Sequence, residues 1–235
     1  METTIMISEV SFSRGYTSFW TEYAPWISDY VSSINKGLVE RLEYPIEIGD
    51  DTIHRSINNT IAFTLFKNVI EEGNNDIEKA LLEAKKIIVN YPRNNIETYV
   101  LSEEYKKIIQ RQCERLLKHY RGKLIEFYPE FSGCGIMESC QGDMFYNETL
   151  VEIKAGERGV LSSDIKQIIT YCALNWLSSN SKTIKRVEFY NPRQGILWES
   201  ELEELIMTVS NLPIEDLFDQ IGKYLINMSE DIELY

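Results

Sequence analysis

The sequence of 235 residues predicts an α/β protein, in which a helical N-terminal region leads into an α-β-β-β-α-β core with a mixed sheet. Three observations carry that expectation. Apolar residues recur at three- and four-residue spacing through roughly the first half of the chain, without convincing strand alternation. After Gly122 the pattern changes to short β-branched and aromatic runs separated by turn residues. One long amphipathic stretch then separates two such runs, giving a βαβ unit whose strands should be parallel and whose crossover should be right-handed.

In the first region Phe19, Tyr23, Trp26 and Tyr30, then Ile61, Leu65 and Val69, mark helical faces. Breaks at Tyr44-Pro45, Gly49-Asp50-Asp51, Gly73-Asn74-Asn75 and residues 91–95 divide the region into four or five helices. Residues 76–89 form one. Residues 102–120 form another, opened by Ser102 as N-cap, with Glu103 and Glu104 near the positive end of the helix dipole. Short strands are expected at 123–127, 135–139, 143–146 and 150–154, with Asn147-Glu148 as a hairpin turn. Residues 162–177 read as a helix that buries Ile165, Ile168, Ile169, Cys172, Ala173 and Trp176. Strands at 186–190 and 195–199 follow, and the acidic tail from Glu201 is helical. The chain thus divides into a helical region packed on the core (1–100), the core (101–200) and acidic C-terminal helices (201–235).

Charge narrows the function. The net charge of −13 excludes a globally basic nucleic-acid coat and a cationic membrane binder. The opening Met-Glu-Thr-Thr-Ile lacks a basic stretch leading into an apolar one, and no window approaches a membrane span, so a cytoplasmic protein with no membrane partner is expected. Four cysteines without a CxxC pair read as free thiols. The charge is also uneven. Residues 105–124 sum to +6, and a second patch around Lys182, Lys185, Arg186 and Arg193 is basic, whereas residues 199–235 sum to −9. Lys107, Arg111, Arg115, Lys118 and Arg193 are therefore the candidate phosphate contacts. The acidic tail reads as a solvated face, a partner surface or an internal mimic of DNA. The aromatic cluster Tyr16, Phe19, Trp20, Tyr23 and Trp26 reads as core or as an interface with a protein partner or second copy.

Chemistry concentrates between Gly142 and Gly156. On a strand, Glu152 and Lys154 project from one face while Val151, Ile153 and Ala155 face the other. The hairpin can fold Asp143 beside Glu152. Two facing carboxylates repel unless a cation lies between them, and hard oxygen ligands suit Mg²⁺ or Mn²⁺. Lys154 would then orient, or when deprotonated activate, a water. Such a set is suited to phosphodiester hydrolysis.

The Asp143, Glu152-x-Lys154 pattern resembles the PD-(D/E)xK nuclease superfamily, and Gln167-x-x-x-Tyr171, at i and i+4 on the next helix, resembles the signature of its RecB-type and lambda-exonuclease-like branch. The resemblance covers about residues 100–200 and implies a restriction-endonuclease-like core. It also implies Asp143, Glu152 and the Ile153 backbone carbonyl as metal ligands and Lys154 as catalytic lysine. Gln167 would steady Lys154 or nucleic acid, and Tyr171 would touch a phosphate. An acidic residue from the first core helix is common in such proteins, and Glu114 is the preferred candidate, with Glu103 and Glu104 as alternatives. Gly142 replaces the proline of the motif. Neither His54 nor His119 is placed to act as an upstream ligand, and no cysteine follows Cys172, so no iron-sulfur cluster is expected.

The sequence therefore leads to a Mg²⁺- or Mn²⁺-dependent deoxyribonuclease, by analogy acting in anti-phage defence or DNA repair. The alternative is a non-catalytic nuclease fold that binds nucleic acid or a partner protein. Exonuclease and endonuclease, and DNA and RNA as substrate, are not separated.

Overall fold

The computed structural model describes residues 6–47, 54–89 and 99–233; the expected breaks at 49–51 and 91–95 lie outside the described residues. At its centre is a mixed sheet built from β1 (Glu40–Arg41), β2 (Glu126–Phe127), β5 (Met144–Tyr146), β6 (Thr149–Ile153), β7 (Arg186–Asn191) and β8 (Ile196–Glu201). Their order across the sheet is β1-β8-β7-β6-β5-β2. A two-stranded ribbon pairs β3 (Glu130–Phe131) with β4 (Cys140–Gln141). Among the described strands of this sheet only β6 and β7 run parallel, with Val151 opposite Glu188, and α7 (Ser162–Leu177) connects them. The remaining pairs in the sheet are antiparallel.

The hairpin between β5 and β6 turns on Asn147 and Glu148, with φ of 42° and 62°. Two successive left-handed residues give the turn whose twist matches that of the flanking strands. Met144 pairs with Val151 and Tyr146 with Thr149, so the hairpin runs in register towards Asp143 and Glu152. Side-chain alternation along β6 then sorts the two faces. Leu150 joins the core formed with α7, α1 (Glu9–Arg14), α8 (Leu202–Ser210) and α9 (Ile214–Glu233). Val151 joins a second core formed with α4 (Arg55–Glu72), α5 (Ile77–Ile88) and α6 (Glu103–Tyr120). The sheet is thus covered on both faces.

Helix ends follow their capping chemistry. The Asp76 side chain accepts from the backbone of Glu78 and Lys79 at the start of α5, and Ser102 accepts from Tyr105 at the start of α6. The aromatic stretch 16–30 makes two short helices, α2 (Thr17–Tyr23) and α3 (Ile27–Ser33), interrupted around Pro25, which has no N–H to continue a helix. Phe19 and Trp20 are buried with Phe12, while Trp26 is exposed.

Four expectations change. The N-terminal region contributes a strand, β1, which pairs with β8. Up to Tyr120 the described residues hold six α-helices, α1–α6, where four or five are expected, with α1–α3 packing beside α7 and α4–α5 on the opposite face. Residues 135–139 form a turn with isolated bridges rather than a strand, because Gly135 adopts φ +54° against the Leu225 backbone. Trp176 is half exposed, as the inward face of α7 is already filled by the sheet and by α9. No helix among the described residues is long and apolar enough to cross a membrane.

Candidate active site

The free end of the β5–β6 hairpin gathers the sequence-predicted acids. Asp143 precedes β5, and its Oδ2 accepts from the Ile153 N–H at 2.7 Å, fixing one carboxylate beside the end of β6. Glu152 is buried on the face turned towards α7. Lys154 leaves the strand on the same face, its backbone N–H donating to the Tyr190 carbonyl at 3.0 Å. Its Nζ forms an ion pair with Glu152 Oε1 and donates to Gln167 Oε1 at 3.2 Å. The Gln167 amide in turn donates to the Tyr171 hydroxyl at 2.8 Å. Both residues lie on the buried face of α7, and Tyr171 stacks on Phe131 with ring centroids 5.3 Å apart.

A further polar group, Glu9, completes this chain of contacts. Glu9, in the first turn of α1, accepts from Gln167 Nε2 at 3.4 Å and from the Tyr171 hydroxyl at 3.3 Å. Glu9 was not among the sequence candidates. The available signal was local: Ser8 caps the helix, its Oγ accepting from Ser11 N–H at 3.2 Å, so the next position favours an acid. Nothing nearby in sequence reveals that Phe12 would seat that short helix in the core beside α7.

Electrostatics distinguish the acids from ordinary surface groups. Burial pushes both carboxyls above their usual range, and for Glu152 the neighbouring Asp143 charge adds to the rise, giving about 8 despite Lys154. Burial opposes the Lys154 charge, but Glu152 and Asp143 override it and lift the amine to about 12. Tyr171 is held far above the phenol range by burial and by Glu152 and Glu9. A cleft of about 720 Å³ opens beside the group, lined by Glu9, Tyr128, Glu130, Phe131, Cys140 and Asp143 among others. Burial, with Glu9 and Glu152 nearby, raises the Cys140 thiol to about 12 and so disfavours its thiolate.

No cluster of three His, Cys, Asp or Glu side chains suited to a metal ion occurs among the described residues. Asp143 and Glu152 nonetheless fit a hard divalent cation. They are two carboxylates brought opposite one another by the hairpin register, the hard oxygen donors such an ion takes, with Lys154 already paired to Glu152.

The other candidates are not brought to this site. Glu114 is exposed on α6, 3.9 Å from Arg111, on the opposite face of the sheet. Glu103 and Glu104 are exposed at the start of the same helix. Lys107, Arg111 and Lys118 are exposed on α6 and likewise do not border the carboxylates. Arg115 is buried; its guanidinium pairs with Glu43 at 2.8 Å and donates to the Pro192 and Tyr44 carbonyls. Arg193 is fully buried and donates to the Ala155 carbonyl at 3.0 Å and to Asn59 Oδ1 at 3.0 Å. Neither arginine is presented to an external phosphate. The Tyr171 hydroxyl is engaged by Gln167 and Glu9 rather than open to a phosphate.

No protein-family model matches the chain, and no curated protein matches it.

Proposed function

We propose that this chain is a metal-dependent nuclease of the PD-(D/E)xK kind, with a restriction-endonuclease-like core, that hydrolyses DNA phosphodiester bonds. The observation that carries the reading is the convergence of Asp143, Glu152 and Lys154 at one hairpin end, with Lys154 linked through Gln167 to Tyr171. A solvated strand face would not need a half-buried ammonium held by both a carboxylate and an amide. Anti-phage defence or DNA repair is the setting this activity suggests by analogy.

Asp143, Glu152 and the Ile153 carbonyl would hold Mg²⁺ or Mn²⁺, which when bound supplies charge neutralisation and polarisation of the phosphodiester. The chain's own groups supply position. Asp143 is locked by the Ile153 N–H, so its carboxylate need not reorganise on binding. Lys154, held as an ammonium between Glu152 and Gln167, donates to a non-bridging phosphate oxygen or orients the attacking water. Tyr171 and Glu9 fix the Gln167 amide, which fixes the lysine.

The test is incubation of the purified protein with linear and circular DNA, and with RNA in parallel, in Mg²⁺ and in EDTA. Cleavage that requires the cation and falls about 100-fold or more in Lys154→Ala and Asp143→Asn is expected. A wild type that cuts nothing, or a Lys154→Ala protein that cuts undiminished, would overturn the proposal. DNA binding without cleavage would favour the non-catalytic reading.

A further inference from the structure

The segment between Lys154 and Leu161 joins the strand that carries Glu152 to the helix that carries Gln167. It is irregular, contains Gly156 and Gly159, and leaves the sheet directly after Lys154. A segment of that kind would ordinarily be mobile, since no ladder holds its backbone. Here side chains from distant parts of the chain take the place of a ladder. Asn59 Nδ2 and Arg193 Nε both donate to the Ala155 carbonyl, at 2.9 and 3.0 Å. Asn191 Nδ2 donates to the Gly156 and Arg158 carbonyls at 2.9 and 3.1 Å. Asn35 pairs with Val160 as another strand would, accepting from its N–H at 3.0 Å and donating to its carbonyl at 2.8 Å. Arg55 pairs with Glu157 at 2.9 Å.

Asn35 belongs to a π-helical turn, Ile34–Leu38, and Asn59 and Arg55 to α4. Both elements lie in the N-terminal region, outside the part of the chain that carries the motif. They approach the loop from different sides, because α3 and α4 pack on opposite faces of the sheet. The contact closest to the chemistry is the one at Ala155, a single residue beyond Lys154. The two donors there are also joined to each other, Arg193 Nη2 donating to Asn59 Oδ1 at 3.0 Å. Arg193 is backed in turn by Arg115, which donates to the Pro192 and Arg193 carbonyls at 2.7 and 3.2 Å.

We infer that Asn59 and Arg193 are positioning residues that clamp the Ala155 carbonyl and so hold Lys154 in register with Glu152 and Gln167. The N-terminal region is then the brace of the catalytic loop. This rests on the nuclease reading for its kinetic consequence, but not for its structural one. A bond on Ala155 fixes the backbone from which the Lys154 side chain departs, and small displacements of a catalytic group lower the rate without weakening substrate binding.

The experiment compares the wild type, Asn59→Ala and Asn59→Gln by steady-state cleavage in Mg²⁺ and by amide hydrogen exchange without substrate. Asn59 is partly buried on α4, so its truncation leaves the apolar face of that helix intact. For Asn59→Ala, kcat should fall about 10- to 100-fold at unchanged KM. Exchange should accelerate across residues 154–161, while α4 and α7 keep their protection. Asn59→Gln, which retains the amide, should recover part of both. Unchanged loop exchange in Asn59→Ala would overturn the inference, and so would a loss of protection spread evenly over the molecule. If the wild type cuts nothing while the loop still loosens in Asn59→Ala, the nuclease reading falls and the brace stands.

Discussion

Glu188 offers a test of how the hairpin beneath the carboxylates is secured. It is 1% exposed in β7 and accepts from the Tyr120 hydroxyl and from the Tyr146 hydroxyl at 2.9 Å, with His119 Nε2 at 3.4 Å. Tyr146 lies in β5, so this carboxylate ties the hairpin to α6 and to the central strand. Hydrogen bonds to a charged group are worth about 1.5–3 kcal/mol each. Glu188→Gln keeps the shape but leaves one acceptor oxygen, and its NH₂ must face a hydroxyl that had been donating. One phenol bond survives as a neutral bond and the other weakens, so the variant should lose about 2–3 kcal/mol. For a chain of this length that corresponds to a Tm lower by about 4–12 °C.

The pH dependence provides an internal control. Burial alone would raise the Glu188 pKa, but donation from His119, Tyr120 and Tyr146 outweighs it, and the folded value is depressed. A depressed carboxyl contributes stability that is fully present above its unfolded pKa, about 4.3, and is lost as pH falls through the folded value. The gap between wild type and Glu188→Gln should be constant above about pH 5 and close in more acidic solution. Thermal melts from pH 7 downwards measure it. Equal melting temperatures at pH 7, or a gap that stays the same for as long as the wild type remains folded, would refute the reasoning.

Glu9→Gln should lower kcat by about 10-fold, because the Gln167–Tyr171 pair loses its charged acceptor, whereas Glu114→Gln should leave cleavage unchanged. Single-turnover cleavage of one DNA substrate by both variants checks it. Glu148→Gly should stabilise the protein by about 0.5–1 kcal/mol in urea, since glycine removes the cost of φ 62°, and the exposed ion pair with Lys185 contributes little. Truncation after residue 200 should give no folded protein by circular dichroism. It removes Leu205, Ile206, Val209, Leu217, Phe218, Ile221 and Leu225 from the core, each worth about 1.5–3 kcal/mol, against a total stability of about 5–15 kcal/mol.

What could be read from sequence was whatever depends on a short stretch of chain. The α7 helix follows from its own period, the β5–β6 turn from Asn147-Glu148, and the start of α6 from Ser102. The first strand was not readable, since two residues of β1 have no period and exist only because β8 offers an edge. Among the site residues, alternation put Glu152 and Lys154 on one face, while the docking of α1 that brings Glu9 to Gln167 and Tyr171 depends on contacts 158 and 162 positions away. Arg115 is instructive because a signal was there. The inward stripe of α6 runs through Ile108, Ile109, Gln112, Cys113, Leu116 and Tyr120, and its period includes position 115. Residue type argued for solvent, periodicity argued for burial, and the carbonyls of Tyr44 and Pro192 decided the matter.

That sorting also changes the meaning of the net charge. The cations that stay exposed on α6, Lys107, Arg111 and Lys118, lie across the sheet from Asp143 and Glu152. The exposed acids Glu203, Glu204, Glu215, Asp216 and Asp219 belong to α8 and α9, which pack on the same side as α7. These acids therefore do not cover the basic helix. The cleft beside the carboxylates carries Glu9, Glu130 and Asp143 among the residues lining it, with Lys154 as the nearby ammonium. On the proposed reading, a phosphate backbone approaching this face meets negative charge first. A divalent cation between Asp143 and Glu152 would then be needed to admit the substrate as well as to cleave it. On that reading nucleic-acid binding at this face should depend on the same carboxylates as hydrolysis, and the charge of −13 would be offset locally by the cation more than by the protein surface.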